Sequence, residues 1–106
     1  MNLAKMMKQA QELQGKMAQV QEDLAAAEIE GSSGAGMVKA VMTGKHELRS
    51  LSIDPSLVTR DDTEVLEDLI VAAVNDARTR VEVHVKEKMS EVTGGLNLPP
   101  GLNLPF

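Results

Sequence analysis

The sequence contains no cysteine, tryptophan or tyrosine, and its one phenylalanine is residue 106. Without cysteine there can be neither disulfides nor thiolate metal ligands, a composition that suits a reducing cytoplasm. Without aromatic rings a core must be assembled from Val, Leu, Ile, Met and Ala, which favour interlocking helices and thin sheets. A second copy of the chain would supply the burial that rings normally provide, so an obligate dimer is expected. No stretch approaches the ~18 apolar residues of a membrane span. The opening MNLAKMMKQAQ has no apolar run before a small-residue cleavage site, so neither export nor membrane insertion is expected. The 106 residues are enough for one domain and too few for two independent cores.

Charge is plentiful but uneven, with a formal net of -5. Residues 1–27 carry three Lys against three acids, and residues 28–60 carry four bases against four acids. Residues 61–93 hold four bases against nine acids, so that segment contributes the whole excess. Its acids crowd the start (Asp61, Asp62, Glu64, Glu67, Asp68), and its bases (Arg78, Arg80, Lys86, Lys88) come later.

In the first segment Leu3, Met6, Ala10, Leu13, Met17, Val20, Leu24 and Ala27 recur at alternating spacings of three and four. That heptad seam predicts a helix over 1–27, ~38 Å long at ~1.5 Å per residue. Glycines 31, 34 and 36 end the helix, and Glu28–Ser32 reads as a short strand. Val38, Ala40 and Met42 then alternate with Lys39 and Thr43. Thr43-Gly44-Lys45-His46 makes a turn that reads as solvated, and Leu51 and Ile53 return on the apolar face. The expected meander covers 28–54 and stops at Asp54-Pro55-Ser56. From Asp61, with Glu64 as its capping-box partner, a second apolar stripe runs to about Val92, and Thr93-Gly94-Gly95 ends it. The fold class is therefore α+β in the order α-β-β-β-α: one domain over 1–93, with helical segments 1–27 and 61–93. The tail 94–106 repeats Gly-Leu-Asn-Leu-Pro, and its prolines forbid a regular helix.

Three features imitate active sites. GSSGAG resembles a phosphate loop but lacks the Gly-Lys-Ser/Thr ending, and Gly44-Lys45 is followed by His46. His84 and Glu87 are half a metal site with no second helical histidine. The serines have no nearby His–Asp pattern. No catalytic residue, metal, cofactor or small-molecule substrate is expected.

Surface cations remain. Lys5, Lys8 and Lys16 lie off the first seam among glutamines, and Arg80, His84 and Lys88 are spaced by four on the second helix. Glu12–Lys16 and Glu82–Lys86 have the favourable order for surface ion pairs. If the helices are antiparallel, positive charge gathers at their tips and the acid stays near the sheet. Single-strand binders stack bases on aromatic rings, and this chain has almost none. Duplex binding needs only cations and donors along the backbone. Two readings follow: a sequence-tolerant duplex-DNA binder, or an interaction adaptor whose apolar tail and acidic helix start dock a replication or recombination protein.

The stretches MKQAQELQGKM (7–17), GSSGAGMVKAVMTGKHELRSLSIDPSL (31–57), LEDLIVAAVNDA (66–77), KEKM (86–89) and the ending LPPGLNLPF closely resemble the YbaB/EbfC family of bacterial nucleoid-associated proteins. The resemblance implies a homodimer whose paired sheets form a body with helices projecting like tweezers. It also implies duplex-DNA binding in the cytoplasm at the nucleoid, altered DNA conformation and an influence on gene expression. Its genes often neighbour those of replication and recombination factors. Carried over by residue, the DNA-binding set is Lys8 and Lys16 on the first helix and Arg80, Lys86 and Lys88 on the second. Lys5 and Arg78 join it from positions where the family pattern is looser. The expected dimer and core residues are Val38, Ala40, Met42, Leu51 and Ile53, the hairpin serving as a girder between chains.

Overall fold

The computed structural model describes residues 2–94. They form α1 (Leu3–Ala26), β1 (Ile29–Ser33), β2 (Val38–Met42), β3 (Leu48–Ile53) and α2 (Thr63–Gly94). Single 3-10 turns lie at Gly34–Gly36 and Pro55–Leu57. The strands make one antiparallel sheet in the order β1-β2-β3, so the α-β-β-β-α reading of the sequence holds. The repeat-bearing tail beyond Gly94 lies outside the described residues.

Directly opposed residues of an antiparallel pair share a face. Ile29 opposes Met42, Gly31 opposes Ala40, Val38 opposes Ile53 and Ala40 opposes Leu51. This face receives α2 through Ala73, Ala77 and Val81, which are buried with Val38, Ala40 and Met42. Small side chains let helix and sheet approach closely. At Gly31 the approach is closest: an added Cβ would stand 2.5 Å from Ala77 Cα and 2.8 Å from the Ala73 carbonyl oxygen. Val38, Ala40 and Met42 are thus core residues within one chain, covered by its own α2. α2 lies over β1 and β2, and every residue of β3 except half-buried Ile53 is exposed.

The hairpin turn seats α1. Thr43, which alternation puts on the opposite side from Val38, Ala40 and Met42, is 1% exposed. Its hydroxyl oxygen accepts from the Lys45 and Glu47 amides at 3.1 and 3.3 Å. The Gly44 amide donates at 2.8 Å to the Leu24 carbonyl, which also accepts the Ala27 amide at 3.3 Å, so the turn ties directly to the last carbonyls of α1. His46 takes the left-handed conformation at φ 64°. At its other end α1 is capped by Asn2, whose side chain accepts from the Ala4 amide at 3.1 Å.

α2 starts later and ends later than its sequence suggests. Asp62, not Asp61, stands at the entry: its carbonyl accepts from the Leu66 amide, and its carboxylate accepts the Thr59 hydroxyl at 2.7 Å. Gly94 is still helical.

One α2 side chain closes the free edge of β1. The Asp76 carboxylate accepts the Ser32 amide at 2.9 Å and Arg80 Nε at 3.1 Å. The Ser32 bond, then the Arg80 bond, hold its pKa below the ordinary 3.8, against a smaller opposing effect of desolvation. A carboxylate with a depressed folded pKa adds stability above its unfolded pKa and loses it as pH falls through the folded value. Thermal melts of Asp76→Asn against wild type should therefore show a constant deficit at neutral pH. The deficit should shrink below pH 3.8 as the wild-type carboxyl protonates; a gap that does not change with pH would remove the charge from this account.

Candidate nucleic-acid interface

The two helices leave the sheet together. Leu24 and Val85 line one hollow beside the Gly44 turn. Val20, Leu24 and Val92 then form a second small core, flanked by Leu13, Met17, Val85 and Met89. The seam places α1 antiparallel to the C-terminal half of α2. Counting back from Leu24 at ~1.5 Å per residue, α2 as far as Gly94 covers α1 to about Leu13. The seam residues beyond are bare, Leu3 being 71% and Met6 48% exposed. The particle measures 70 × 23 × 17 Å, with a radius of gyration of 19.4 Å. A compact chain of this length would give about 13 Å, so this is a small body with an arm.

The candidate cations divide into two groups. Arg78 Nε lies 3.6 Å from Glu82, Arg80 Nε 3.1 Å from Asp76, and Lys88 Nζ 4.0 Å from Glu91. All three are engaged by carboxylates of their own helix, and Lys88 and His84 are half-buried. Among the described residues Lys5, Lys8, Lys16 and Lys86 have no carboxylate within 4.0 Å. Two ion pairs expected from spacing do not form: Glu82 turns back to Arg78 instead of reaching Lys86, and Glu12 leaves Lys16 free. The (i, i+4) ridge of Arg80, His84 and Lys88 is therefore weaker than its spacing implies.

The free lysines are well placed. Lys5, Lys8 and Lys16 are exposed along α1, with Lys5 and Lys8 on the part that projects past α2. Lys86 sits on the outer side of α2 with Val83, Glu87 and Ser90. The acids from Asp61 to Asp68 begin α2 at its other end, so the chain is polarised along its length. Exposed lysines on such an arm can reach phosphate oxygens without breaking any existing bond.

The described surface offers little for catalysis. The groove between β1 and α2 holds Glu30, Thr79, Arg80, His84 and Glu87. Its Thr79 hydroxyl donates to the Asn75 carbonyl, and Arg80 is held by Asp76. Neither is poised as a nucleophile or an oxyanion donor. Among the described residues no group of three or more His, Cys, Asp or Glu could hold a metal. No described helix is long and apolar enough to cross a membrane.

A small sheet carrying a projecting, lysine-bearing helix pair defines a binding module built on a scaffold. The chain belongs to the YbaB/EbfC DNA-binding family, whose sequence pattern matches residues 1–96. A nucleoid-associated protein of Rhodospirillum rubrum is 59% identical over 105 residues, spanning 99% of this chain and 98% of that protein. The crystal structure of an uncharacterized protein from Helicobacter pylori shares the fold with a TM-score of 0.75 and 26% identity. That match covers 89% of this chain and 99% of the other.

Sequence reasoning located the cations, but not the two glycines that seat the helices nor the Asp76 latch. A glycine inside a strand pattern is itself a signal of close backbone approach, and Gly31 carries that signal.

Proposed function

We propose that this protein is a nucleoid-associated, homodimeric binder of duplex DNA that grips the phosphate backbone and reads little sequence. Lys5, Lys8 and Lys16, exposed and unpaired on the projecting helix, carry the proposal. Bidentate recognition of guanine is the commonest specific contact and belongs mainly to arginine. Arg78 and Arg80, the arginines of the helices, are committed to carboxylates of α2, so base readout by the arm is scant. Two arms on one dimer hold two stretches of backbone, which alters the path of the DNA and through it nucleoid organisation and gene expression.

The test is a salt titration on an arbitrary duplex. If the three lysines of each chain neutralise one phosphate apiece, log affinity should fall with log salt at a slope of about -5. A duplex of shuffled sequence should bind within about threefold. Negligible affinity even at low salt would favour the adaptor reading, in which a replication or recombination protein is the partner.

Dimerisation in this proposal uses β3. The edge of β1 is closed by Asp76 and flanked by α2, whereas β3 is the outer strand on the other side. Its Leu48 and Leu51 oppose Met42 and Ala40 on the side of the sheet that carries α2, but α2 lies over β1 and β2, and they are left 49% and 39% exposed. An open apolar edge strand invites pairing with another chain. Leu51→Asp should give a folded monomer by light scattering and circular dichroism. Persistence of the wild-type mass would remove β3 from the interface. Ile53 is the poorer probe, because it packs on the core of its own chain.

A further inference from the structure

The sheet has two faces, and α2 packs on one of them. On the other, Glu30 opposes Val41, Ser32 opposes Lys39, Lys39 opposes Ser52 and Val41 opposes Ser50. Among the described residues neither helix lies over this outer face: α2 packs on β1 and β2 from the inner side, and α1 packs on α2. Ser32, Lys39, Ser50 and Ser52 are all exposed. A bulge adds one more group. Leu48 opposes Met42 and Ser50 opposes Val41, so Arg49 is the extra residue of β3. By alternation from inward-facing Leu48, Arg49 falls on the outer side with Ser50, and the bulge returns Leu51 to the inner side. We propose that this outer face is a second surface for the phosphate backbone of duplex DNA, with Lys39 and Arg49 as its cations and the hydroxyls of Ser32, Ser50 and Ser52 as supporting donors.

The chemistry of the face selects this ligand. Among the described residues neither Lys39 nor Arg49 has a carboxylate within 4.0 Å, and the acid of the paired positions, Glu30, stands on the far strand β1. A second copy packed sheet against sheet needs an apolar inner face. Here Val41 is the apolar residue, and a sandwich would bury Lys39 and Arg49 without partners, which is costly. Phosphate oxygens satisfy the same cations and hydroxyls. Lys39 and Arg49 are ~10 Å apart along the strands and one strand, ~4.8 Å, apart across them. Phosphates of one DNA strand recur every ~3.4 Å along the helix axis, so both cations meet one short stretch of backbone.

The face is separate from the arm. Lys8 lies ~24 Å along α1 from Leu24, where the hairpin turn holds the helix. With the arm on one duplex and the sheet on another, the particle joins two duplexes. Pairing through β3 leaves this face open and repeats it in the partner. The inference rests on the proposed function for the nature of the ligand and adds a second place for it.

The test uses the full-length chain and two duplexes, one immobilised and one fluorescent, at about 50 mM salt. Protein bound to the first should retain the second. Lys39→Glu with Arg49→Glu should cut that retention at least tenfold, with affinity for a single duplex changing no more than about threefold and the melting curve unmoved; undiminished retention would overturn the proposal. The absence of native cysteine permits a direct contact test with Ser50→Cys alkylated by a photoreactive azidophenacyl group. Irradiation with labelled duplex should give a protein–DNA adduct. Duplex binding without an adduct would remove the sheet face and keep the arm. An adduct, together with unchanged affinity when Lys5, Lys8 and Lys16 are all reversed to Glu, would keep the sheet face and remove the arm. If instead the DNA-free protein grows in mass at low salt and Lys39→Glu with Arg49→Glu abolishes that growth, the face belongs to acids of another copy and the proposal fails.

Discussion

Gly31→Ala should destabilise the protein by about 3 kcal/mol or more, the upper end of what inserting carbon into a packed core costs. Gly31→Val should leave little folded chain. The added Cβ would meet backbone, with Ala77 Cα at 2.5 Å and the Ala73 carbonyl oxygen at 2.8 Å. Backbone of a helix cannot rotate out of the way as a flexible side chain could. α2 would have to lift from β1, opening the contacts among Val38, Ala40, Ala77 and Val81 and stretching the Asp76–Ser32 bond. Typical domains have only ~5–15 kcal/mol in hand, so one methyl group consumes a large fraction. Gly15→Ala is the matched control. Nothing lies within 4 Å of its added Cβ, and alanine is the better helix former by ~1 kcal/mol. Thermal melts of the two variants should move in opposite directions. If Gly31→Ala melts with wild type, the close seating of α2 is not a constraint on the fold.

Gly31 and Gly44 do related work on the two helices. Gly31 seats α2 on β1. Gly44 seats the end of α1 on the hairpin turn, where an added Cβ would lie 2.6 Å from the Leu24 carbonyl oxygen. Among the described residues the helices meet each other beyond the sheet, through Val20, Leu24 and Val92 with their half-buried neighbours. The direction of the arm is therefore set by two backbone-to-backbone contacts at its root. A core without large rings makes this possible: alanines and glycines bring backbones close enough for the geometry of the sheet to pass into the helices.

The element order was legible because periodicity changes sharply along the chain. The three-and-four spacing from Leu3 to Leu24 cannot be read as strand, and the alternation from Val38 to Met42 cannot be read as helix. What covers each apolar face was not legible. Val38, Ala40 and Met42 present the same pattern whether α2 or a second chain lies over them. Only the register with Gly31 and the run of small residues Ala73 and Ala77 decides for α2. The candidate cations were visible by type and by position off the seam, but their partners were not. Glu82 has a base four residues away on either side, Arg78 and Lys86, and spacing alone cannot choose between them. The structure pairs it with Arg78, which leaves Lys86 exposed.

That pairing pattern ranks the cations, and the ranking is testable by charge reversal. Lys5→Glu with Lys8→Glu and Lys16→Glu should lower affinity for duplex DNA by at least ~10³ at 50 mM salt, with the salt slope falling towards zero. Each change removes a phosphate contact and adds a repelling charge, and a homodimer carries every change twice. All three side chains are exposed and take part in no described ion pair, so surface cost is within about 0.5 kcal/mol per site and the melting curve should hardly move. Arg78→Gln is the contrast. Arg78 already sits against Glu82 at 3.6 Å, and such an exposed pair is worth at most ~1 kcal/mol. Breaking it should weaken DNA binding by no more than about threefold. Equal losses from Arg78→Gln and the triple variant would mean that α2 shares the contact and that the ion pairs give way to phosphate. Undiminished binding by the triple variant would place the DNA elsewhere on the molecule, the exposed Lys39 and Lys45 of the sheet being the next cations to test.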